Sequence, residues 1–405
     1  MPSGLPEEKA GPPDGALPRQ AGETLGQQPL GFYIHVPFCA VRCGYCDFNT
    51  YTAAELGNRP GASRAGYAAS VIAEIKLARR VLGDVDLLVD TVFFGGGTPT
   101  LLAPAALTSI VTALREEFGL AAGAEITTEA NPDSVSAIDL EALRAGGVNR
   151  ISFGMQSAVP TVLRVLDRTH DPLRVPQVVE EARHAGFDQV SLDLIYGTPG
   201  ESLSDWCFSL EAAVALEPDH LSAYALIVEE GTALSRQVRG GAVPSPDDDD
   251  LADKYELADG VLSAAGLEWY EVSNWARHES ARCRHNLGYW TGHDWWGAGP
   301  GAHSHVGGVR WWNVKHPVTY ADRLAADESP AAGREELGED TRRVERVLLE
   351  TRLATGLPID VLDDPGRAAL SGLVDEGLVE ALPDTVRLTQ RGRLLADAVV
   401  RALLA

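Results

Sequence analysis

Lysine is almost missing from this chain: the 405 residues hold only four, and 34 Lys and Arg against 58 Asp and Glu leave a formal net charge of -24. A surface so short of clustered cations is not built to neutralise a phosphate backbone, which argues against nucleic acid as a partner. No uninterrupted apolar run approaches the roughly 18 residues that a membrane span requires. The N-terminus, Met1-Pro2-Ser3-Gly4 onward, has neither the basic nor the apolar segment of a secretory signal. Five cysteines, three of them close together, do not make a disulfide framework, and thiolate chemistry belongs to a reducing compartment. Together these absences predict a cytoplasmic protein that does not span a membrane.

What is present centres on Cys39-Ala40-Val41-Arg42-Cys43-Gly44-Tyr45-Cys46. The three thiols follow the apolar run Phe32–Val36 and Pro37, which should deliver them to a loop at the tip of a strand. Thiolates select zinc, copper(I) or iron–sulfur clusters. Structural zinc sites divide four ligands into two separated pairs, and no second pair follows here, although zinc or a redox thiol pair stays open on these residues alone. A 4Fe-4S cube is ordinarily held by four cysteines. Three would leave one iron open to a small chelator.

Downstream, short β-rich runs alternate with helical patterns: Phe32–Val36 with Tyr67–Leu82, Thr91–Phe94 with Pro104–Phe118, Glu125–Glu129 with Ile138–Ala145, Arg150–Met155 with Val175–Ala185, Gln189–Tyr196 with Ser204–Leu216, then His220–Ile227. That alternation predicts a parallel α/β sheet, as an open doubly wound sheet or a TIM-type barrel. Unusual residues close nearly every strand: the cysteine loop, Gly95-Gly96-Gly97-Thr98-Pro99, Glu129-Ala130-Asn131-Pro132, Gly154-Met155-Gln156-Ser157, and Asp193 ahead of Gly197-Thr198-Pro199. Functional groups gathered at C-terminal strand ends favour a partial (β/α)6 TIM-type barrel.

The remaining boundaries follow composition. Residues 1–28, rich in Gly, Pro, Glu and Gln, read as a disordered tail, and 29–270 as the barrel core. The four aspartates Asp247–Asp250 read as a solvated helix start rather than a metal site. Residues 271–332 form a Trp- and His-rich extension. Residues 333–405 read as a winged-helix-like module of three helices, a hairpin turning at Pro383-Asp384 and a closing helix; its 14 acidic residues against 10 arginines make DNA reading implausible. Cys207 shares a helical spacing with Leu203, Leu210 and Val214 and is assigned to the core.

Glu129 and Asp193 are carboxylates on predicted buried strands and need partners. Either they pair with an internal arginine such as Arg150 or Arg168, or they accept hydrogen bonds from a ligand, Asp193 being suited to ribose hydroxyls. Gln156 can satisfy a polar edge, and Arg168 can hold a carboxylate by a bidentate contact. A glycine triplet after a strand lets backbone approach a ligand closely.

With these residues in place, the C-x3-C-x2-C loop with Tyr45 before its third cysteine resembles that of the radical S-adenosylmethionine (SAM) superfamily. The resemblance implies a 4Fe-4S cluster on Cys39, Cys43 and Cys46, with SAM chelating the open iron. By similarity to the coproporphyrinogen-oxidase-like branch, Tyr33, Tyr45, Gly96, Gly97, Thr98, Glu129, Gln156, Arg168 and Asp193 would serve SAM. Within that branch the oxygen-independent coproporphyrinogen III dehydrogenases carry a further cysteine and a longer ordered N-terminal segment. Here Cys46 is followed by Asp47-Phe48-Asn49. That run, and His285-Asn286-Leu287-Gly288-Tyr289-Trp290, resemble the loop and the H-N-x-x-Y-W motif of the heme-chaperone family. The expectation is a heme chaperone that passes heme to respiratory hemoproteins, served by a flavodoxin- or ferredoxin-type electron donor, with a homodimer compatible with that role. The alternative is an oxidase converting coproporphyrinogen III to protoporphyrinogen IX.

Heme asks for an axial His or Cys and flat apolar walls. Residues 283–312 offer Cys283, His285, His293, His303 and His305 beside Tyr289, Trp290, Trp295, Trp296, Trp311 and Trp312. Of these His285 is the first choice for the iron and Cys283 the second. The same aromatics would equally well pack the open side of a sheet.

Overall fold

In the computed structural model, which describes residues 11–56, 63–83 and 85–405, the six expected strands are β1 (Leu30–Val36), β2 (Val89–Gly96), β3 (Leu120–Ala130), β4 (Arg150–Gln156), β5 (Gln189–Tyr196) and β6 (His220–Ala225). They pair in sequence order and all in parallel, and each of the first five is followed by a helix. A parallel pair needs a crossover long enough to return the chain to the same end, and a helix supplies it. Those helices cover the outside: Val71, Ile75, Leu107, Ile110, Leu140, Val178 and Leu210 are fully or almost fully enclosed. Burial at about 25 cal/mol per Å2 of apolar area makes this layer the main source of stability.

The barrel does not close. β1 pairs on its far side with β9 (Asp294–Ala298), again in parallel, and the sheet continues antiparallel through β10 (His303–Val306), β11 (Val309–Asn313) and β12 (Ala331–Glu336). Beyond β6 it ends in β8 (Asn274–Ala276) and β7 (Glu268–Glu271). The Trp- and His-rich segment is thus continuous with both edges of one 12-stranded sheet. Aromatics do pack its outer layer, as the Trp296–Trp311 pair with ring centroids 4.8 Å apart shows.

Buried Glu74 ties that extension to the helix Arg64–Leu82. Its carboxylate accepts from Tyr320 Oη at 2.5 Å, Asn313 Nδ2 at 2.8 Å, the Gly299 amide at 2.9 Å and Trp296 Nε1 at 3.4 Å. Burial nevertheless raises its pKa to about 7.

Three expectations change. Residues 1–10 lie outside the described residues, but 11–28 are packed: helix Arg19–Thr24 buries Ala21, Leu17 and Leu25 rest on the core, and the Pro13 carbonyl accepts from the Ser329 amide. Apolar residues spaced through a polar stretch were enough to dock it. Of the three helices expected before the hairpin of the C-terminal module, two are α-helices, Glu339–Glu350 and Asp364–Asp375, and the middle one is only a 3-10 turn, Ile359–Val361, because left-handed Gly356 and then Pro358 turn the chain into a short strand, Leu357–Pro358. Its own apolar cluster includes Val347, Leu362, Val386 and Val399. Cys207 is half-exposed, its thiol near Glu211, because the buried stripe of its helix is Trp206, Ser209, Leu210 and Ala213. The tryptophan, whose Nε1 donates to the Lys254 carbonyl, rotates the helix by one position. The aspartate run behaves as expected: Asp247 caps the helix Asp248–Ala264.

Candidate functional site

A cavity of about 490 Å3 runs down the inside of the sheet, lined by residues from all six parallel strands. Only a curved sheet can bring those strands around one space, and the openings of the strands set its two ends. At the mouth stand the three cysteines. Phe38–Cys39 pairs with Tyr51–Thr52 in a short parallel ladder, and the Cys46 amide bonds the Cys43 carbonyl at 3.2 Å. Asn49 pins the loop's far end by donating to the carbonyls of Pro300 at 2.9 Å and Lys315 at 2.8 Å.

The glycine turn explains itself by crowding. A Cβ on Gly97 would lie 2.4 Å from the Phe38 carbonyl oxygen and 3.0 Å from Cys39 Sγ, and one on Gly96, whose φ is +108°, would meet the His35 ring at 2.7 Å. The amides of Gly97 and Thr98 bond the carbonyls of Val36 and Phe38, each at 2.8 Å. The turn and the cysteine loop are therefore one packed unit.

Burial pushes the Cys39 thiol up and the Cys46 thiol to about 11, so neither would ionise near neutrality without a nearby cation; a metal cluster is such a cation. Among the described residues no three His, Cys, Asp or Glu side chains converge on a single ion, whereas three thiols sharing one cavity wall suit a polynuclear cluster, each sulfur on its own iron. The donor set fits a 4Fe-4S cube.

Deeper in, Asp193 accepts from Ser152 Oγ at 3.0 and 2.9 Å through its two oxygens, and burial raises its pKa. Glu129 is raised to about 8, first by burial and then by Asp193. Neither carboxylate is in an ion pair with Arg150 or Arg168 among the described residues, so the salt-bridge alternative does not hold. Arg168 instead donates to Asn131 Oδ1 and the Gly154 carbonyl, both at 2.8 Å, and lies 3.7 Å from Cys43 Sγ; its buried Nε has no partner. Gln156 sits at φ +61° beside a register slip in β4. A left-handed glutamine is strained, and strain of that kind collects where a side chain must be aimed. Tyr33 bonds His35 through its hydroxyl at 3.0 Å and stacks near Phe93; Tyr45 and Thr98 also line the cavity. All the expected residues for SAM thus meet in one space.

His285 lies at the other end. It opens the helix Arg284–Trp290, which plugs the floor. Its Nδ1 is 2.8 Å from Thr91 Oγ1 and its Nε2 2.8 Å from Tyr289 Oη; burial lowers its pKa to about 3. An iron would have to displace one of these partners from an enclosed ring, so the placement of His285 corrects its choice as axial ligand. Cys283 fares no better: it is buried 3.6 Å from Glu125 Oε1, with its thiol pushed up to about 12.

One floor residue was missed, and a second, Arg150, was expected only as an ion-pair partner. Glu125 accepts from the amides of Arg284 at 2.9 Å and His285 at 3.1 Å, capping the plug helix. Arg150 is buried with its Nε unpartnered. Nothing local in the sequence marks Glu125, because its partners lie some 160 residues away.

An α/β half-barrel with three thiols, a glycine turn and buried carboxylates at its mouth defines a radical SAM protein, and residues 33–213 match the model of the Radical SAM superfamily. The chain is 53% identical to the heme chaperone HemW of Mycobacterium tuberculosis over 93% of its own length and 95% of that protein's. It is 34% identical to HemW of Escherichia coli, over 93% of this chain and 98% of that one, and 33% identical to HemW of Bacillus subtilis, over 92% and 98%. The chain belongs to the HemW family. Its fold resembles the solved structure of coproporphyrinogen III oxidase (HemN) from Escherichia coli with a TM-score of 0.80 and 25% identity, covering 95% of this chain and 92% of that one. Among the described residues no helix is long and apolar enough to cross a membrane.

Proposed function

We propose that this chain is a cytoplasmic heme chaperone that binds heme and passes it to respiratory hemoproteins, with a 4Fe-4S cluster on Cys39, Cys43 and Cys46 and SAM in the cavity beneath. The names of its relatives support the heme part of this reading. The observation that carries the cofactor part is the convergence of the thiols, the glycine turn, Gln156, Arg168 and Asp193 on one 490 Å3 space.

A cluster so held supplies an open iron and a single electron. The chain's own groups do the rest. Backbone groups of Gly96 and Gly97, with Thr98, would hold the amino end of SAM, Arg168 its carboxylate, Gln156 its polar edge, and Glu129 and Asp193 its hydroxyls, with Tyr33 and Tyr45 lining the same space. Glu129, neutral near pH 7 in the free chain, can donate one proton or, beside a cation, release it.

The fold likeness to coproporphyrinogen III oxidase favours the same cavity as a porphyrinogen site, while Phe48, where those enzymes carry a further cysteine, speaks against it. The test has two arms on the reconstituted, reduced chain. Heme-loaded protein is mixed with an apo-cytochrome, and separately the protein is incubated with coproporphyrinogen III and SAM. Heme appearing in the cytochrome is expected; protoporphyrinogen IX would establish the oxidase instead.

A further inference from the structure

We propose that the inner end of the cavity is a binding site for a small monocarboxylate, held by the guanidinium of Arg150 and separate from the place given to SAM. The site goes beyond the heme-chaperone reading and does not depend on it.

The interior of a parallel barrel is ordinarily filled by layers of branched apolar side chains. Here it is not. Successive residues of a strand face opposite sides, and the inward positions that line the cavity are Arg150 and Ser152 on β4, Asp193 on β5, and His220 and Ser222 on β6. The alternate residues Ile151, Leu192 and Leu221 belong to the apolar cluster under the helices. Small serines in place of large hydrophobes keep the inner chamber open, and it is one space with the mouth.

Into that chamber comes a cation with nothing to hold. Arg150 is 3% exposed, and a guanidinium cannot shed its proton. Among the described residues it makes no hydrogen bond or ion pair, and its Nε has no partner. Arg168, the other arginine on the cavity wall, is spent on Asn131 and the Gly154 carbonyl. The two carboxylates whose charge Arg150 feels are also engaged: Glu125 accepts from the amides of Arg284 and His285, and Asp193 from Ser152. Asn274, buried on the same wall, likewise keeps its Oδ1 without a partner. The chamber thus offers a cation for a carboxylate and an acceptor for a hydroxyl beside it.

The fork selects the chemical class. Parallel N–H groups in one plane match the two oxygens of a carboxylate. Glu129 and Asp193 on the same wall would repel a second negative charge, which argues against a phosphate. The whole cavity, about 490 Å3, is the size that takes one cofactor-sized molecule, so a ligand sharing it with SAM must be small.

Propionate labelled with carbon-13 at its carboxyl, titrated into the full, cluster-loaded chain at constant ionic strength and followed by NMR, tests this, first without and then with saturating SAM. One saturable site per chain, retained when SAM is bound, is expected. Arg150→Met should weaken that binding about tenfold or more. Arg150→Lys, which keeps the charge and loses the fork, should weaken it several-fold and serves as the test if the methionine variant does not fold. No saturable binding in wild type, or binding that both variants leave unaltered, overturns the site. So does displacement by an equal concentration of chloride, which would make it a halide site, and so does strict competition with SAM, which would give Arg150 to SAM. A chain that binds propionate and no SAM contradicts the cofactor reading and leaves the carboxylate site standing.

Discussion

The two ends of the cavity are built from the same residue types to opposite effect. At the floor, Arg150 Nε apart, polar groups are mutually satisfied: Glu125 caps the plug helix, both nitrogens of His285 are bonded, and Asn286 donates to Glu271 at 2.7 Å. At the mouth they are not. The thiols are free, the Arg168 Nε lacks an acceptor, Gln156 is strained, and Val41, Phe48 and Ile227 are exposed around the opening. Buried polar groups left unpaired cost free energy, so a fold that keeps them is keeping room for something else. The difference separates a polar motif that holds the protein together from one that awaits a ligand.

Substitutions should divide along the same line. The largest effect expected is at the mouth: Cys43→Ser should abolish cluster assembly, reading near zero instead of about four irons per chain after anaerobic reconstitution, with the melting temperature of the cluster-free chain unchanged. The floor should show the reverse. Glu125→Ala removes the acceptor of two backbone amides in an enclosed site and should cost about 3 kcal/mol of stability by urea unfolding of the cluster-free chain. If it instead left stability intact and weakened SAM binding, the division between the two ends would fail.

Arg168→Lys sharpens the comparison. It keeps the charge but loses the planar fork, and should weaken SAM binding by roughly 10- to 100-fold by isothermal titration of the cluster-loaded chain. Gln156→Gly relieves the left-handed strain, so stability should change by less than about 1 kcal/mol while SAM affinity falls.

A separate effect is on pH dependence. The folded pKa of Glu129, about 8, lies above its ordinary value of 4.5, so the folded chain holds that proton more tightly than the unfolded one. Its contribution to stability must then decline as pH rises from 4.5 through 8. Glu129→Gln should flatten that part of the stability–pH curve. SAM affinity, if the carboxylate ionises to accept hydrogen bonds from the hydroxyls near SAM's sulfonium cation, should rise with pH over the upper part of the same window in wild type and not in the variant.

The mouth could be read from the chain because its signals are local: three cysteines in eight residues, a glycine triplet and a carboxylate at a strand end all declare themselves within a few positions. The alternation of strand and helix is similarly short-range, and the six parallel strands fall where it placed them. The floor could not be read in the same way. His285 looks like a ligand until Thr91 and Tyr289 are seen to occupy it, one of them 194 residues away, and Glu125 carries no local mark. Cys207 missed the core because a single tryptophan turned its helix. The docked segment 11–28 was hidden by a composition in which few apolar residues sufficed.

The central claim is that the three thiols hold a four-iron cluster with one iron open to SAM. EPR of the anaerobically reconstituted, reduced chain, recorded before and after adding SAM, tests it most directly. A four-iron signal that changes on addition of SAM, and no longer does so in Arg168→Lys at the same concentration, is the predicted result. Uptake of zinc in place of the cluster, or a signal indifferent to SAM in the wild type, would contradict it.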